Sequence, residues 1–302
     1  MRHMKLAIPS IAAIGLISSI ATMGAATLMT TPAAAQSYFF STGDPDGKIA
    51  TLSRTNNGGL LQTETADDFV LTQSTRIDSA TFTGLLPIGV ALNDATRVEI
   101  EIYHVFPVDS TNPPSGNVPA RANSPADVEI DPATRDSLDS SLSFVGGVIS
   151  PNFTTLNSVV NGINKSPNQL TMGEGPATGQ EVQFNVTFNP GIVLAADHYF
   201  FRPEVALNTG NFLWLSAPRP IVAPGTPFPA GTTDLQSWTR NDNLAPDWLR
   251  IGSDITAQGP FNAAFALTGV LVPEPSSVLP VCGALAAASL RRRRLVRTMH
   301  IQ

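Results

Sequence analysis

The alternation of apolar and polar residues predicts a chain built from β-strands. The clearest segment is 181–189, in which every second residue is valine or phenylalanine and the residues between them are polar. Residues 97–106 show the same period of two, with Val98 and Ile100 between charged neighbours. Because successive side chains of a strand point to opposite faces, this pattern is typical of a strand with one buried and one solvated face.

Shorter runs of the same kind predict further strands, and segments rich in Pro, Ser, Asn and Asp separate them. Two such segments, 108–139 and 217–231, predict long irregular loops. Between the termini there is no helical period and no fixed repeat, which disfavours propellers and β-helices. We therefore expect an all-β fold, a single antiparallel β-sandwich of jelly-roll type with long loops over residues 36–272. The further strands are predicted at 66–71, 79–84, 142–149, 198–201, 212–215, 234–240, 247–251 and 261–272.

Residues 1–35 have the layout of a secretory signal peptide. Arg2 and Lys5 precede a mostly apolar stretch, and Ala33-Ala34-Ala35 provides an A-x-A cleavage site. We expect a signal helix here and an exported chain that begins at Gln36, with cleavage after Ala26 as the alternative.

The C-terminal segment 273–302 contains three signals in a fixed order. A Pro-Glu-Pro tripeptide stays extended and open to a protease, because proline disfavours both helix and sheet. An apolar stretch at 278–290 follows, and a block of four arginines favours the cytoplasmic side of a membrane. Since a helix of this length measures about 20 Å against roughly 30 Å of hydrocarbon, we expect a short hydrophobic helix and transient insertion into the inner membrane. The motif consists of Pro273, Glu274, Pro275, Arg291, Arg292, Arg293 and Arg294.

This tail resembles the PEP-CTERM sorting signal of Gram-negative-type bacteria. The resemblance implies cleavage by an exosortase, a membrane protease-transpeptidase, and a bacterial protein that is secreted or displayed at the cell surface. Tails of this kind are also catalogued as an ice-binding protein C-terminal domain. Ice binding does not follow here, because the body has one Thr-x-Thr, at Thr81-Phe82-Thr83, and no repeated ladder. Body segments 65–69, 101–107, 179–184 and 247–250 resemble secreted proteins with this tail, a group without assigned biochemistry.

The charge of the body differs from that of the whole chain. The full sequence has a net charge of −6, but residues 36–272 contain 11 Lys and Arg against 23 Asp and Glu, hence −12. Nucleic acids and anionic membranes require a positive surface, so neither is an expected partner. The single cysteine, Cys282, lies in the tail, so the body has no disulfide framework.

Enzyme signatures are missing from the body, which contains no G-x-S-x-G, H-E-x-x-H, P-loop or dinucleotide fingerprint. His198 follows Asp197, but adjacent strand residues point to opposite faces, which favours a structural histidine. Glu99 and Glu101 share a strand face about 6.6 Å apart, a separation comparable to that used in glycoside hydrolysis. We expect both glutamates to face solvent and predict neither an enzyme nor an organic cofactor.

Two pairs of residues are candidates for binding. Asp44 and Asp46, on a turn opened by glycine, present oxygen ligands suited to Ca²⁺, with Asp67 and Asp68 as additional ligands if the loop folds back. The alternative for this turn is a metal-free Asx turn. Trp238 and Trp248, near loop ends and beside polar residues, predict a glycan-stacking surface, with ordinary half-buried tryptophans as the alternative.

These observations lead to one main hypothesis and two alternatives. The main hypothesis is an exported, non-enzymatic protein of the cell surface or extracellular matrix, associated with extracellular polysaccharide or biofilm. The alternatives are a carbohydrate- or calcium-dependent adhesion module and a hydrolase with an unrecognised site.

If Asp44 and Asp46 bind calcium, the ion should stabilise the folded protein. A ligand that binds only the native state at a hundredfold excess over Kd stabilises it by about 2.7 kcal/mol, which raises the Tm of a domain of this size by several degrees. Thermal melts of residues 36–272 with millimolar calcium and with chelator measure the shift. The Asp44→Asn/Asp46→Asn variant is the control and should show none, and identical melts of the unmodified domain would exclude the site.

Overall fold

A computed structural model describes residues 36–56, 59–111, 116–163 and 170–272. The predicted signal peptide, the sorting tail and the two helices expected there lie outside the described residues. Within them, the prediction of an all-β fold is confirmed, since strands dominate and helix is nearly absent. Two 3-10 turns, Leu92–Asp94 and Asp131–Ala133, and one π-helical turn, Ile251–Ile255, interrupt the strands. No helix in this part of the chain is long and apolar enough to cross a membrane.

Fifteen strands form two sheets. They are β1 (Ser37–Ser41), β2 (Ile49–Leu52), β3 (Thr63–Leu71), β4 (Thr75–Pro87), β5 (Ala95–His104), β6 (Arg135–Asp136), β7 (Leu142–Thr155), β8 (Asn157–Val159), β9 (Ala177–Leu194), β10 (Asp197–Leu207), β11 (Leu213–Ala217), β12 (Trp238–Asn241), β13 (Leu249–Arg250), β14 (Asn262–Ala263) and β15 (Phe265–Leu271).

The six-stranded sheet has the order β13-β12-β3-β10-β5-β6, and every neighbouring pair is antiparallel. The long strand β10 lies at its centre, where Phe201 stands opposite Asp67 of β3 on one side and Ile102 of β5 on the other. This pairing places charged and polar residues of β3, β10 and β5 next to one another across the sheet.

The nine-stranded sheet is organised around β4. One edge of β4 pairs with β15 and then with β11, and the other edge pairs with β9 along its whole length. Beyond these lie β1 next to β15, β2 and β8 beyond β11, and β7 next to β9. The single parallel pairing among the described strands joins β2 and β8.

The inner faces of the two sheets share one hydrophobic core. Alternate residues of β9 are buried in it, as the period of two predicts, and Phe184 stacks on Phe82 of β4. Across the sheets, Phe201 of β10 stacks on Phe265 of β15 with ring centroids 5.0 Å apart, and Trp214 packs edge-on against both rings. This aromatic cluster buries the apolar face of each sheet against the other.

The sequence pattern identified the long strands and the short strands β11, β12 and β13, but it missed β1, β2, β6 and β8. Residues 37–59, which show little periodicity, form β1 and β2, because four or five residues are too few to establish a period and their partners are distant in sequence. The segment 247–251, predicted as a strand, contributes only Leu249–Arg250 before the π-helical turn.

The two ends of the body lie side by side. Strand β1 pairs antiparallel with β15, so Ser37 stands opposite Val270. The amide of Leu271 donates to the carbonyl of Gln36 at 2.8 Å. The residue expected to become the N-terminus is therefore hydrogen-bonded to the last strand before Pro273.

Truncation of Phe201 tests whether this cluster joins the two sheets. We expect Phe201→Ala to lower the free energy of unfolding by about 3–5 kcal/mol, because it leaves a cavity between stacked rings. The matched control is Phe39→Ala, since Phe39 lies on β1 and is 57% exposed; its effect should stay within about 0.5 kcal/mol. Denaturant unfolding of both variants measures the difference, and equal losses would contradict a core centred on Phe201.

Candidate functional site

A group of charged side chains lies on the face of the six-stranded sheet that points away from the aromatic core. Val98, Ile100 and Ile102 of β5 face the core, so the residues between them face the opposite side. The same alternation in β3, β10 and β12 brings charged residues of four strands onto that face. They are Glu64, Glu101, Tyr103, Arg202, Glu204 and Arg240, and all six are buried.

Arg202 is the centre of this group. Its guanidinium lies 2.8 Å from a carboxylate oxygen of Glu204 and 3.1 Å from one of Glu64, and it also pairs with Glu101. These carboxylates come from β10, β3 and β5, so one cation links three adjacent strands. A buried guanidinium is costly unless it is paired, and three carboxylates supply ion pairs to its two Nη atoms, whereas Nε has no hydrogen-bond partner among the described residues.

Arg240 extends the group to the edge of the sheet. It pairs with Glu64, with an Nη2–Oε1 distance of 3.1 Å, and its guanidinium lies over the ring of Trp248 at 4.3 Å. The Tyr103 hydroxyl accepts from Arg240 and lies 2.9 Å from Glu64 and 2.5 Å from Glu101, so it donates to one of the two carboxylates. The cation–π contact and the hydrogen bonds together fix Arg240 on β12.

The group contains three carboxylates and two guanidinium ions, so one negative charge is in excess if all are ionised. Burial raises the pKa of Glu204 well above its usual range, although Arg202 opposes that change. Burial also acts to raise the pKa of Glu64, but the charges of Arg240 and Arg202 outweigh it and hold that pKa below its usual value. Of these two carboxyls Glu204 therefore takes up a proton more readily, and the Gln62 side-chain amide donates to it.

A second cluster of ionisable side chains lies further along β3 and β10. His198 Nε2 is 2.6 Å from an oxygen of Asp68, and the same oxygen accepts from the amide of Leu235 at 3.0 Å. His198 stands opposite Val70, so Asp68 is its diagonal cross-strand neighbour on the same face. The partner of His198 is thus Asp68, 130 residues away, rather than the adjacent Asp197.

Asp67 points to the other face of β3 and is buried between segments. It accepts from the Ser237 hydroxyl at 2.8 Å and from the amide of Ala263 at 2.9 Å. Burial, followed by the charge of Asp68, raises the pKa of Asp67 well above its usual value. These contacts tie β3 to the residue before β12 and to β14, which is a structural role.

Asp234 lies beside the second cluster and lines an open pocket with a volume of about 300 Å³, together with Arg219, Trp238 and Arg250. Burial raises the pKa of Asp234 to about 6, and the charge of Asp68 acts in the same direction. The pocket thus places a carboxyl that titrates close to neutral pH near the Asp68–His198 pair. Such an arrangement can hold or release a proton and bind a small polar ligand.

The predicted glycan-stacking surface is wrong. Trp238 is 1% exposed and Trp248 is 0% exposed, so neither ring offers a face to a sugar. Both pack in a cluster with Tyr103 and Phe200, and Trp248 donates to the carbonyl of Ala126 at 3.1 Å. Their polar neighbours suggested a surface, but Arg240 is buried in the ionic group and Asp247 is buried 3.3 Å from Arg121.

The expectation that both strand glutamates face solvent is also wrong. Glu101 is buried and pairs with Arg202, and Glu99 is half-buried beside Arg97 at 3.0 Å. Burial raises the pKa of Glu99, although Arg202 opposes it. The face is polar, as the alternation indicates, but other segments cover it.

The two aspartates predicted to bind calcium lie on the turn before β2. Asp46 accepts from the Lys48 amide at 3.0 Å and from the Ser216 hydroxyl at 2.5 Å, in the manner of an Asx turn, whereas Asp44 is exposed. Asp67 and Asp68 are engaged elsewhere, so the prediction that they add ligands is wrong. No group of three or more His, Cys, Asp or Glu side chains in the described ranges is arranged to hold a metal. Calcium at Asp44 and Asp46 stays a prediction, and the sorting motif lies outside these ranges.

Several residues of the ionic group were not identified from the sequence. Arg202 and Glu204 interrupt the otherwise apolar segment 198–207, and Glu64 lies in β3 just before the predicted strand 66–71. Charged residues two apart inside an apolar strand are the signal that was available. Such residues are either functional or paired in the interior, because an unpaired charge there is strongly unfavourable.

Comparison with known proteins yields no similarity on which a family assignment can rest. No protein-family model matches the chain, and no curated protein or solved structure is significantly similar to it.

The raised pKa of Asp234 predicts that the free energy of unfolding changes with pH. The unfolded chain releases this proton at the ordinary aspartate pKa of about 4, whereas the folded chain retains it up to about pH 6. The unfolded state therefore binds fewer protons in this interval, and Asp234 makes the protein less stable as the pH rises through it.

Asp234→Asn removes this titration. We expect the variant to be more stable than the unmodified protein above pH 6, by about 1 kcal/mol after allowance for partial solvent exposure, with the advantage disappearing near pH 4. Urea unfolding from pH 4 to 8 measures it, with the surface substitution Asp131→Asn as control. A constant difference across this range would contradict the prediction.

Proposed function

We propose that this chain is an exported, non-enzymatic protein of the cell surface or extracellular matrix, sorted and processed through its C-terminal tail. The observation that carries the proposal is the hydrogen bond between Gln36 and Leu271. If the signal peptide is cleaved after Ala35, the new N-terminal residue would lie next to the last strand before the Pro-Glu-Pro tripeptide.

This arrangement suits a domain that is processed at both ends. Strand β1 begins at Ser37, one residue after the expected new N-terminus, and β15 ends at Leu271, two residues before Pro273. Cleavage at either point leaves the pairing of β1 with β15 intact. Both cleavage points lie at the same edge of the nine-stranded sheet. A membrane attachment at either end would therefore hold the domain in the same orientation.

The charge distribution supports a location in the aqueous phase outside the membrane. The body has a net charge of −12, which disfavours adsorption to anionic lipid and leaves neutral extracellular polysaccharide as the more compatible partner. In the ionic group around Arg202, the charged side chains pair with one another in the interior. That pairing favours a structural role for the residues whose pKa values are most strongly shifted.

The proposal includes a finer description of the fold, a single β-sandwich of jelly-roll type. Two mainly antiparallel sheets with a common aromatic core support it, as do connections that pass repeatedly from one sheet to the other, for example from β10 to β11. Its flanking segments would be the signal helix and the short hydrophobic helix of the tail.

The second candidate function is an adhesion module that binds a small carbohydrate. The observation that favours it is the pocket lined by Asp234, Arg219 and Arg250, whose polar walls suit hydroxyl groups. In this version Trp238 contributes to the pocket wall and does not provide a stacking face.

The processing hypothesis makes a direct prediction about mass. The protein exported by its bacterial host should begin near Gln36 and lack the arginine block, because a signal peptidase and an exosortase remove the two ends. Intact-mass measurement of the exported protein tests both cuts. A chain with Pro273 and Pro275 replaced by alanine is the control and should retain the tail. An exported form that still contains Arg291 to Arg294 would exclude sorting by this route.

A further inference from the structure

Strand β7 is an unusually long free edge. It has 14 residues and pairs only with β9 among the described strands. The other edge strands of the two sheets are short, with five residues in β1, three in β8 and two each in β6 and β13. Short edges are a common protection against pairing with another chain, and β7 lacks that protection.

The edge is also free of charge. Residues 140–163 contain no Asp, Glu, Lys or Arg, although the body as a whole has a net charge of −12. Aliphatic side chains on β7 are solvent-exposed, with Val145 at 71% and Ile149 at 54%. Pro151 is the only proline in the strand, so most residues retain an amide that can donate. Neither charge nor proline opposes pairing along residues 142–148, where the ladder to β9 is regular; register shifts near Ser150 and Phe153 interrupt the rest of the strand.

The chemistry of the edge defines its partner. A row of main-chain amides and carbonyls is matched by another β-strand, which favours a polypeptide over a glycan or a lipid. Two bodies that are both strongly negative repel each other over most of their surfaces, so copies of this chain can approach closely only through a neutral part. Strand β7 is a long neutral element with a free edge.

We propose that two copies of this chain associate through antiparallel pairing of their β7 strands about a two-fold axis. The same strand supplies both halves of the contact, as a closed two-fold interface requires. A two-fold axis at Gly146 sets Val145 opposite Gly147 of the second copy, and a side chain at position 147 would meet no atom within its own chain. A depression lined by Val90, Leu92 and Val148 flanks the strand and adds apolar surface.

The consequence is a continuous sheet that crosses the two-fold axis and joins two nine-stranded sheets. The pairing adds main-chain hydrogen bonds along an edge that has no other backbone partner in the described part of the chain. It does not depend on the sorting route, because β7 lies within the body.

Charge substitution at Val145 tests the pairing. The protein is purified in the form that its host exports. Size-exclusion chromatography with light scattering should give the mass of a dimer, and the dimer should dissociate on dilution. Val145→Lys and Val145→Glu should each be monomeric at concentrations where the unmodified chain is dimeric, because the substitution places like charges close together across the axis. An equimolar mixture of the two variants should regain the dimer mass, since opposite charges are then diagonal neighbours across the axis.

The matched control is Val193→Lys, because Val193 is 60% exposed on β9, away from the free edge of β7. This variant should remain dimeric, and circular dichroism should show unchanged strand content in all variants. An unmodified chain that stays monomeric at every concentration would overturn the proposal. A dimer unaffected by the Val145 substitutions, or variants that do not recombine on mixing, would also overturn it. Whether the protein is a monomer or a dimer can be measured whether or not the two terminal cleavages occur.

Discussion

The buried guanidinium of Arg202 is the interaction on which the six-stranded sheet depends most. It joins Glu64, Glu101 and Glu204 from three adjacent strands, and all four side chains are buried. Replacing such a group with well-packed apolar residues is often tolerated, but removing a single member leaves an uncompensated buried charge and is strongly destabilising. The members of the group therefore depend on one another, and the strands that carry them must be in register for any of them to be paired.

The ionic group also explains the arrangement of the segments that cover this face. Arg240 connects Glu64 to the ring of Trp248, and Trp248 is anchored to the carbonyl of Ala126 in the long connection after β5. That connection and the segment after β12 are irregular. Individual side-chain contacts therefore set their position, rather than the backbone hydrogen bonds of a β-sheet. Both faces of the sheet are consequently buried, one against aromatic rings and the other against segments that cover the paired charges.

The sequence allowed the long strands to be predicted because a period of two survives over eight or more residues, as in β5 and β9. It did not show which polar faces would be covered. Glu101 has the same alternation whether it faces water or Arg202, and that arginine lies 101 positions further along the chain. The pairing of His198 with Asp68 and the burial of Trp238 likewise depend on contacts between distant segments. Strands β1 and β2 were missed for a related reason, since their register is set by their partners rather than by their own residues.

The position of β15 has a consequence for the order in which the domain assembles. The last strand of the body lies between the first strand, β1, and the central strand β4, and it pairs with both. Strand β1 thus has no neighbour until nearly the whole body has been synthesised, and contacts of such high sequence separation form slowly. A chain that crosses a membrane N-terminus first remains incompletely folded until Leu271 has emerged. In such a chain, completion of the fold would coincide with arrival of the C-terminal strand, because β15 supplies the only strand partner of β1 among the described residues.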